Sequence, residues 1–204
     1  MKASTRILMA ALALLAASPA AAQNAPPVTR LRGTVAAFDG HTLAIDTREG
    51  TRQQVTIKDD ARLSAVVALD FSAIRPGGFI GTAAVPAKGG DGLVALEVVV
   101  FPEAMRGTGE GHYSWDLAPE SSMTNANVDA VVTATTGRSL QLSYKGGDAK
   151  VLVPPEAPVV TFVPAERSEL TPGTPVYAVA SPAADGGMAT GRVVIGRDGV
   201  RPPM

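Results

Sequence analysis

GTVAAFDGHTLAID, residues 33–46, and DAVVTATTGRSLQLS, residues 129–143, decide how this chain of 204 residues is read. Gly40 falls on Gly137 and Leu43 on Leu140 at an offset of 97, and the correspondence then continues at 96. Val55 and Ile57 meet Val151 and Val153, and Ile74-Arg75-Pro76-Gly77 meets Leu170-Thr171-Pro172-Gly173. Pro86 meets Pro182, and Val98-Val99 meets Val194-Ile195. An offset sustained over a whole unit is the mark of an internal duplication.

Each copy reads as β-structure. Leu31 to Phe38 forms a first strand, Asp39-Gly40-His41 a turn, and Leu43 and Ile45 alternate with polar Thr42 and Asp46. Glu49-Gly50 makes the next turn and Val55-Thr56-Ile57 the third strand. Asp70 is placed to cap a short helical turn over Phe71 to Ile74, stopped by Pro76 and Gly77. Phe79 to Ala84 and Leu93 to Phe101 supply two more strands, around the glycine-rich turn from Lys88 to Gly92. The second copy repeats this order, with turns at Gly137-Arg138, Gly146-Gly147 and Asp185-Gly186-Gly187. Three strands, a helical turn and two strands in so small a unit suit an OB-like (oligonucleotide/oligosaccharide-binding) barrel, with a two-sheet sandwich as the rival. The expected fold is therefore all-β, two tandem OB-like barrels joined by a long ordered loop.

The pattern Gly33-Thr34-Val35, Leu43-x-Ile45, Val55-x-Ile57 and Ile74-x-Pro76-Gly77 resembles the OB-like repeats of exported bacterial proteins of unknown function. That resemblance implies a fold and a compartment outside the cytoplasm, and it carries no catalytic residues across.

The N-terminus supports export. Lys2 and Arg6 precede an apolar run from Ile7 to Ala17, and Ala20-Ala21-Ala22 offers small residues for a signal peptidase, the layout of a cleaved secretory leader. Expected boundaries are a signal peptide over 1–22, a first repeat over 23–101, a connector over 102–127, a second repeat over 128–198 and a tail over 199–204. After the leader, no stretch reaches the length of a membrane helix, so the mature product is expected to be soluble and periplasmic. With 18 Lys+Arg against 19 Asp+Glu, the chain lacks the positive field that nucleic-acid binding demands. Cysteine is absent, which removes disulfides, thiolate metal sites and cysteine nucleophiles.

The connector PEAMRGTGEGHYSWDLAPESSMTNAN, residues 102–127, shows no clear strand yet concentrates the sole tryptophan, Trp115, with Tyr113 and His112. An ordered loop follows from that clustering, since flexible linkers seldom gather aromatic residues. In one reading Trp115, Tyr113 and Leu117 plug a barrel end or join the two barrels. In the other the loop shapes a groove, with Arg106, Glu110, His112 and Asp116 placing charges beside the Tyr113 and Trp115 rings to engage an envelope protein or a small-molecule ligand. A metal variant uses His112, Met105 and Met123. These residue types, together with Trp115, resemble in kind the Cu(I) ligands of a small periplasmic OB-fold copper chaperone, and soft thioether and imidazole donors suit that ion.

No HExxH, P-loop or G-x-S-x-G occurs, and Gly107-Thr108-Gly109-Glu110-Gly111 lacks dinucleotide spacing. The expected function is a non-enzymatic periplasmic binding or interaction protein without a required cofactor. Alternatives are a copper-type metal binder and an uncharacterised hydrolase.

Overall fold

The computed structural model describes residues 28–90, 92–134 and 137–202. The leader and its cleavage point after Ala22 lie outside the described residues. Thirteen strands form one hydrogen-bonded system: β1 (Thr29–Phe38), β2 (Thr42–Thr47), β3 (Arg52–Ala68), β4 (Phe79–Pro86), β5 (Leu93–Ala95), β6 (Val98–Val100), β7 (Gly111–Ser114), β8 (Ser122–Ala134), β9 (Gly137–Tyr144), β10 (Gly147–Val153), β11 (Val159–Pro164), β12 (Pro175–Pro182) and β13 (Met188–Gly196). Among the described residues the only helical pieces are 3-10 turns, and no helix is long and apolar enough to cross a membrane.

Local chemistry forms these elements as the sequence anticipates. Asp39 Oδ1 accepts from the backbone N–H groups of His41 and Thr42, closing the first hairpin. Asp70 Oδ1 accepts from Ser72 N at 2.7 Å and caps the turn Phe71–Ala73. Leu43, Ile45, Val55 and Ile57 are all buried, as alternation requires of strands with one inward face.

Closure produces a barrel. β1 pairs with β2 and β12, β2 with β3, β3 runs parallel to β13, and β13 returns to β12. A second circuit of pairings runs from β8 through β9, β10, β5 and β4 back to β8. Outside these circuits, β11 lies antiparallel to the end of β3 and parallel to β6, linking the two.

The expected tandem arrangement, one barrel per copy, differs from these pairings. The five-stranded barrel takes β1, β2 and β3 from the first half and β12 and β13 from the second; the other circuit takes β8, β9 and β10 with β4 and β5. Halves of like strand order present similar edges, so the three-stranded part of one can close on the two-stranded part of the other with little penalty, as in domain swapping. Two of the three 3-10 turns, Phe71–Ala73 and Arg167–Glu169, follow the same rule through the residue after each. Ile74 seals the cluster containing Leu140, Leu142 and Val151, and Leu170 seals the one containing Leu43, Ile45 and Val55.

The first strand of each copy also aligns differently. Phe38 pairs with Leu43 and Val131 with Leu140, so β1 and β8 correspond at an offset of 93 while the two leucines differ by 97. The β8–β9 hairpin is longer, and its extra residues sit around the turn, where Gly137 begins a strand.

Between the two circuits lies a third apolar cluster, Val66, Val99, Val160, Phe162, Tyr177 and Val194, against which Phe101, Met105, Trp115 and Val200 pack. The connector is built on it. Contrary to the strandless reading, Gly111–Ser114 forms β7, and the last six connector residues, 122–127, open β8. Sequence pattern hides both. Four residues are too few for a period, and Thr124 and Asn125 are polar yet buried.

Candidate functional site

Among the described residues β7 is the one strand with a single partner, and it hairpins onto β8 with Tyr113 opposite Met123 and His112 opposite Thr124. Side chains alternate across a strand, so Tyr113, Met123 and Asn125 share one face of this ribbon and His112 takes the other. The ribbon is anchored at both ends. Arg106 ion-pairs with Glu103 at 2.6 Å and donates to Asn127 Oδ1 and the Gly77 carbonyl, which commits its guanidinium to holding the connector down. Past Trp115, the Ser121 hydroxyl donates to the Ala118 and Trp115 carbonyls and accepts from Ala118 N–H, fixing the return into β8.

Trp115 is half-buried against the central cluster. Its ring meets Tyr113 edge-on at 6.0 Å, and the Arg30 guanidinium lies over it at 4.1 Å. Arg30 and Arg32 share the carboxylate of Asp116, at 3.5 and 2.7 Å, and Arg32 reaches the Tyr177 ring at 5.4 Å. Partial burial pushes the Asp116 carboxyl up. The hydrogen bond from Arg32 and the charges of Arg32 and Arg30 outweigh it and hold the group below the ordinary carboxylate value. Burial raises Tyr113 and Tyr177 above the usual phenol value, although nearby arginines oppose it.

Beneath the ribbon is a cavity of about 80 Å³, lined in part by Gly81, Phe101, Tyr113, Trp115, Asn125 and Arg192. The indole Nε1–H of Trp115 and Oδ1 of Asn125 are buried and unpartnered, while Asn125 Nδ2 donates to the Thr108 carbonyl and to the Tyr113 hydroxyl. An unpaired buried polar atom costs about 1–3 kcal/mol, so it marks a place where a further partner is favourable. On the far side of the Arg32–Asp116 pair a groove of about 490 Å³ runs past Arg32, Arg48, Leu117 and Arg201. The tail helps shape it, since Val200 packs on the central cluster and Arg201 and Pro202 form part of the wall.

Of the residues expected to bind, Tyr113, Trp115 and Asp116 come together here, and Arg106, Glu110 and His112 do not. Glu110 accepts from Lys145 N–H at 3.0 Å, at the β9–β10 turn. His112 turns away, with Nδ1 2.8 Å from Thr124 Oγ1 and its ring stacked on Tyr144 at 6.0 Å. The expected metal set is divided as well. Met105 packs on the central cluster and Met123 lines the cavity, whereas His112 faces the opposite side of the ribbon. Among the described residues no three His, Asp or Glu gather as a cation site.

Sequence reasoning missed Arg30, Arg32, Asn125, Tyr177 and Arg192. Only Arg30-x-Arg32, two cations at strand spacing, offered a local signal; Asn125 reads as an ordinary polar residue of the connector, and Tyr177 and Arg192 arrive from remote strands. Comparison with known proteins finds no matching family model, no matching curated protein and no matching solved structure.

Proposed function

We propose that this is a non-enzymatic binding protein, exported to the periplasm, that engages a small ligand or an envelope-protein partner at the connector between its two repeats. Support for two OB-like units comes from the matching strand order of the two circuits, each ending in a strand parallel to its third. One observation carries the binding reading: the only tryptophan lines a cavity, and its indole N–H is buried without a partner. Aromatic walls with a few unsatisfied polar groups are how small barrels hold flat or sugar-like groups. The adjoining groove extends the same surface.

Because Trp115 is the only tryptophan, its emission reports this site alone. Titration with a panel of sugars, short peptides, amides and organic acids is expected to give a saturable emission change with at least one member. By calorimetry, that member's binding is expected to fall about tenfold or more in Trp115→Ala, with the circular-dichroism spectrum retained. A panel that leaves both emission and heat unchanged rejects the reading. For export, the N-terminus recovered from a periplasmic fraction is expected to be Gln23, and retention of the intact leader in the cytoplasm rejects it.

A further inference from the structure

We infer that the cavity beside Trp115 is a carboxylate subsite, with Arg192 as the counter-ion and the Trp115 Nε1–H as the directional donor; this rests on the connector being the binding site. The first support is charge. Among the described residues that line the cavity Arg192 is the one charged side chain, and Arg30 and Arg32, which share Asp116, stand close by over the Trp115 and Tyr177 rings. No ion pair among the described residues includes Arg192, whose guanidinium rests over the Phe162 ring at 5.7 Å. A local excess of positive charge in a chain of net charge -1 is a preference for an anion at that place.

The second support is how Arg192 is held. β13 carries a β-bulge between Thr190 and Arg192 in its pairing with β3, and the fully buried Thr190 accepts from Arg192 N–H at 3.1 Å through its hydroxyl. Bulges re-aim side chains next to binding sites, and this one sets Arg192 in the cavity wall.

Donor polarity and size narrow the class. The Tyr113 hydroxyl accepts from Asn125 Nδ2, which leaves its own proton free to donate, and the indole N–H of Trp115 is a second donor without a partner. The Asn125 Oδ1 lies against Gly81, only 2.5 Å from where a Cβ would stand. Donors therefore outnumber acceptors. About 80 Å³ holds roughly two to three water-sized groups, enough for the planar carboxylate head of a ligand whose remainder lies outside.

Benzoate and acetate, paired with benzamide and acetamide and set beside inorganic phosphate, test this by Trp115 emission and calorimetry on the intact chain. Each carboxylate is expected to bind about tenfold tighter than its amide, with the advantage shrinking as salt rises. Arg192→Gln is expected to erase that preference, and Arg192→Lys to keep part of it as a point charge. Should Arg192→Gln fail to fold, the lysine variant and the salt series still decide. Equal binding of benzoate and benzamide, or tighter binding of phosphate, overturns the inference. If neutral members of the wider panel move the emission and carboxylates do not, the site stands and the carboxylate assignment falls. Silence from every compound removes both.

Discussion

Gly81 and Tyr177 lie 96 residues apart, the offset that relates the two stretches of similar sequence, and both line the cavity. In the five-stranded barrel Tyr177 stands opposite Arg32; in the second circuit Gly81 stands opposite Asn125. A large ring beside a guanidinium thus meets an absent side chain beside an amide. A Cβ on Gly81 would come within 2.5 Å of Asn125 Oδ1 and 3.0 Å of the Phe101 ring, so glycine is what lets Asn125 and the β7 ribbon settle there. The two circuits of strands form the scaffold. The site forms where they differ, at one missing side chain and at the connector segment that carries β7.

The strongest test strikes the scaffold. Leu43 and Leu140 are both completely buried, in clusters that share no residue. Leu43→Ala and Leu140→Ala are each expected to cost about 2–5 kcal/mol in urea unfolding, and each is expected to show one transition. Strands of both halves complete both circuits, so neither circuit can melt alone. Two separated transitions would break the comparison.

Next comes the position where the circuits differ. Gly81→Ala is expected to destabilise by about 1–3 kcal/mol, because Asn125 and Phe101 must yield, and to shift Trp115 emission as the cavity shrinks. A silent Gly81→Ala would show that the glycine is incidental. A comparable effect separates two ion pairs on the barrel. Arg32→Ala removes a largely buried guanidinium from Asp116 and is expected to lower stability by about 1–3 kcal/mol, whereas Arg52→Ala, which breaks the solvent-exposed pair with Asp46, is expected to leave the melting temperature unchanged. The smallest effect is on pH. The folded-state pKa of Asp116 lies below its unfolded value, so its contribution is present above the unfolded value, near 4, and is lost as pH falls through the folded one. Asp116→Asn is expected to flatten the acid limb of a stability–pH curve there and to leave the neutral region level.

Much of the scaffold is legible in the sequence because it is written in local, repeated terms. Alternation in β2 and β3, the Asp70 cap and the hairpin turns follow from neighbours a few residues apart, and the duplication doubles the signal. The site is less legible. Tyr113, Trp115 and Asp116 stand out as the unusual residues of an unrepeated stretch, but Arg106 is as conspicuous and is spent on Glu103, Asn127 and Gly77. His112 falls on the wrong face of β7 because a four-residue strand has no register of its own until β8 supplies it. Asn125 and Arg192 read as ordinary polar residues, and only a bulge and a buried edge give them a role.

Sequence alone determined that the chain is all-β, with two stretches of similar pattern either side of an aromatic-rich segment, since side-chain period, turn chemistry and caps act over a few residues. Tertiary structure decided which strands close which circuit, where the connector lands, and that Arg192 reaches the cavity wall. Those outcomes depend on residues far apart in the chain, Arg32 with Tyr177 across more than a hundred residues and Trp115 with Arg192 across fewer, and their energies exist only once the chain has closed.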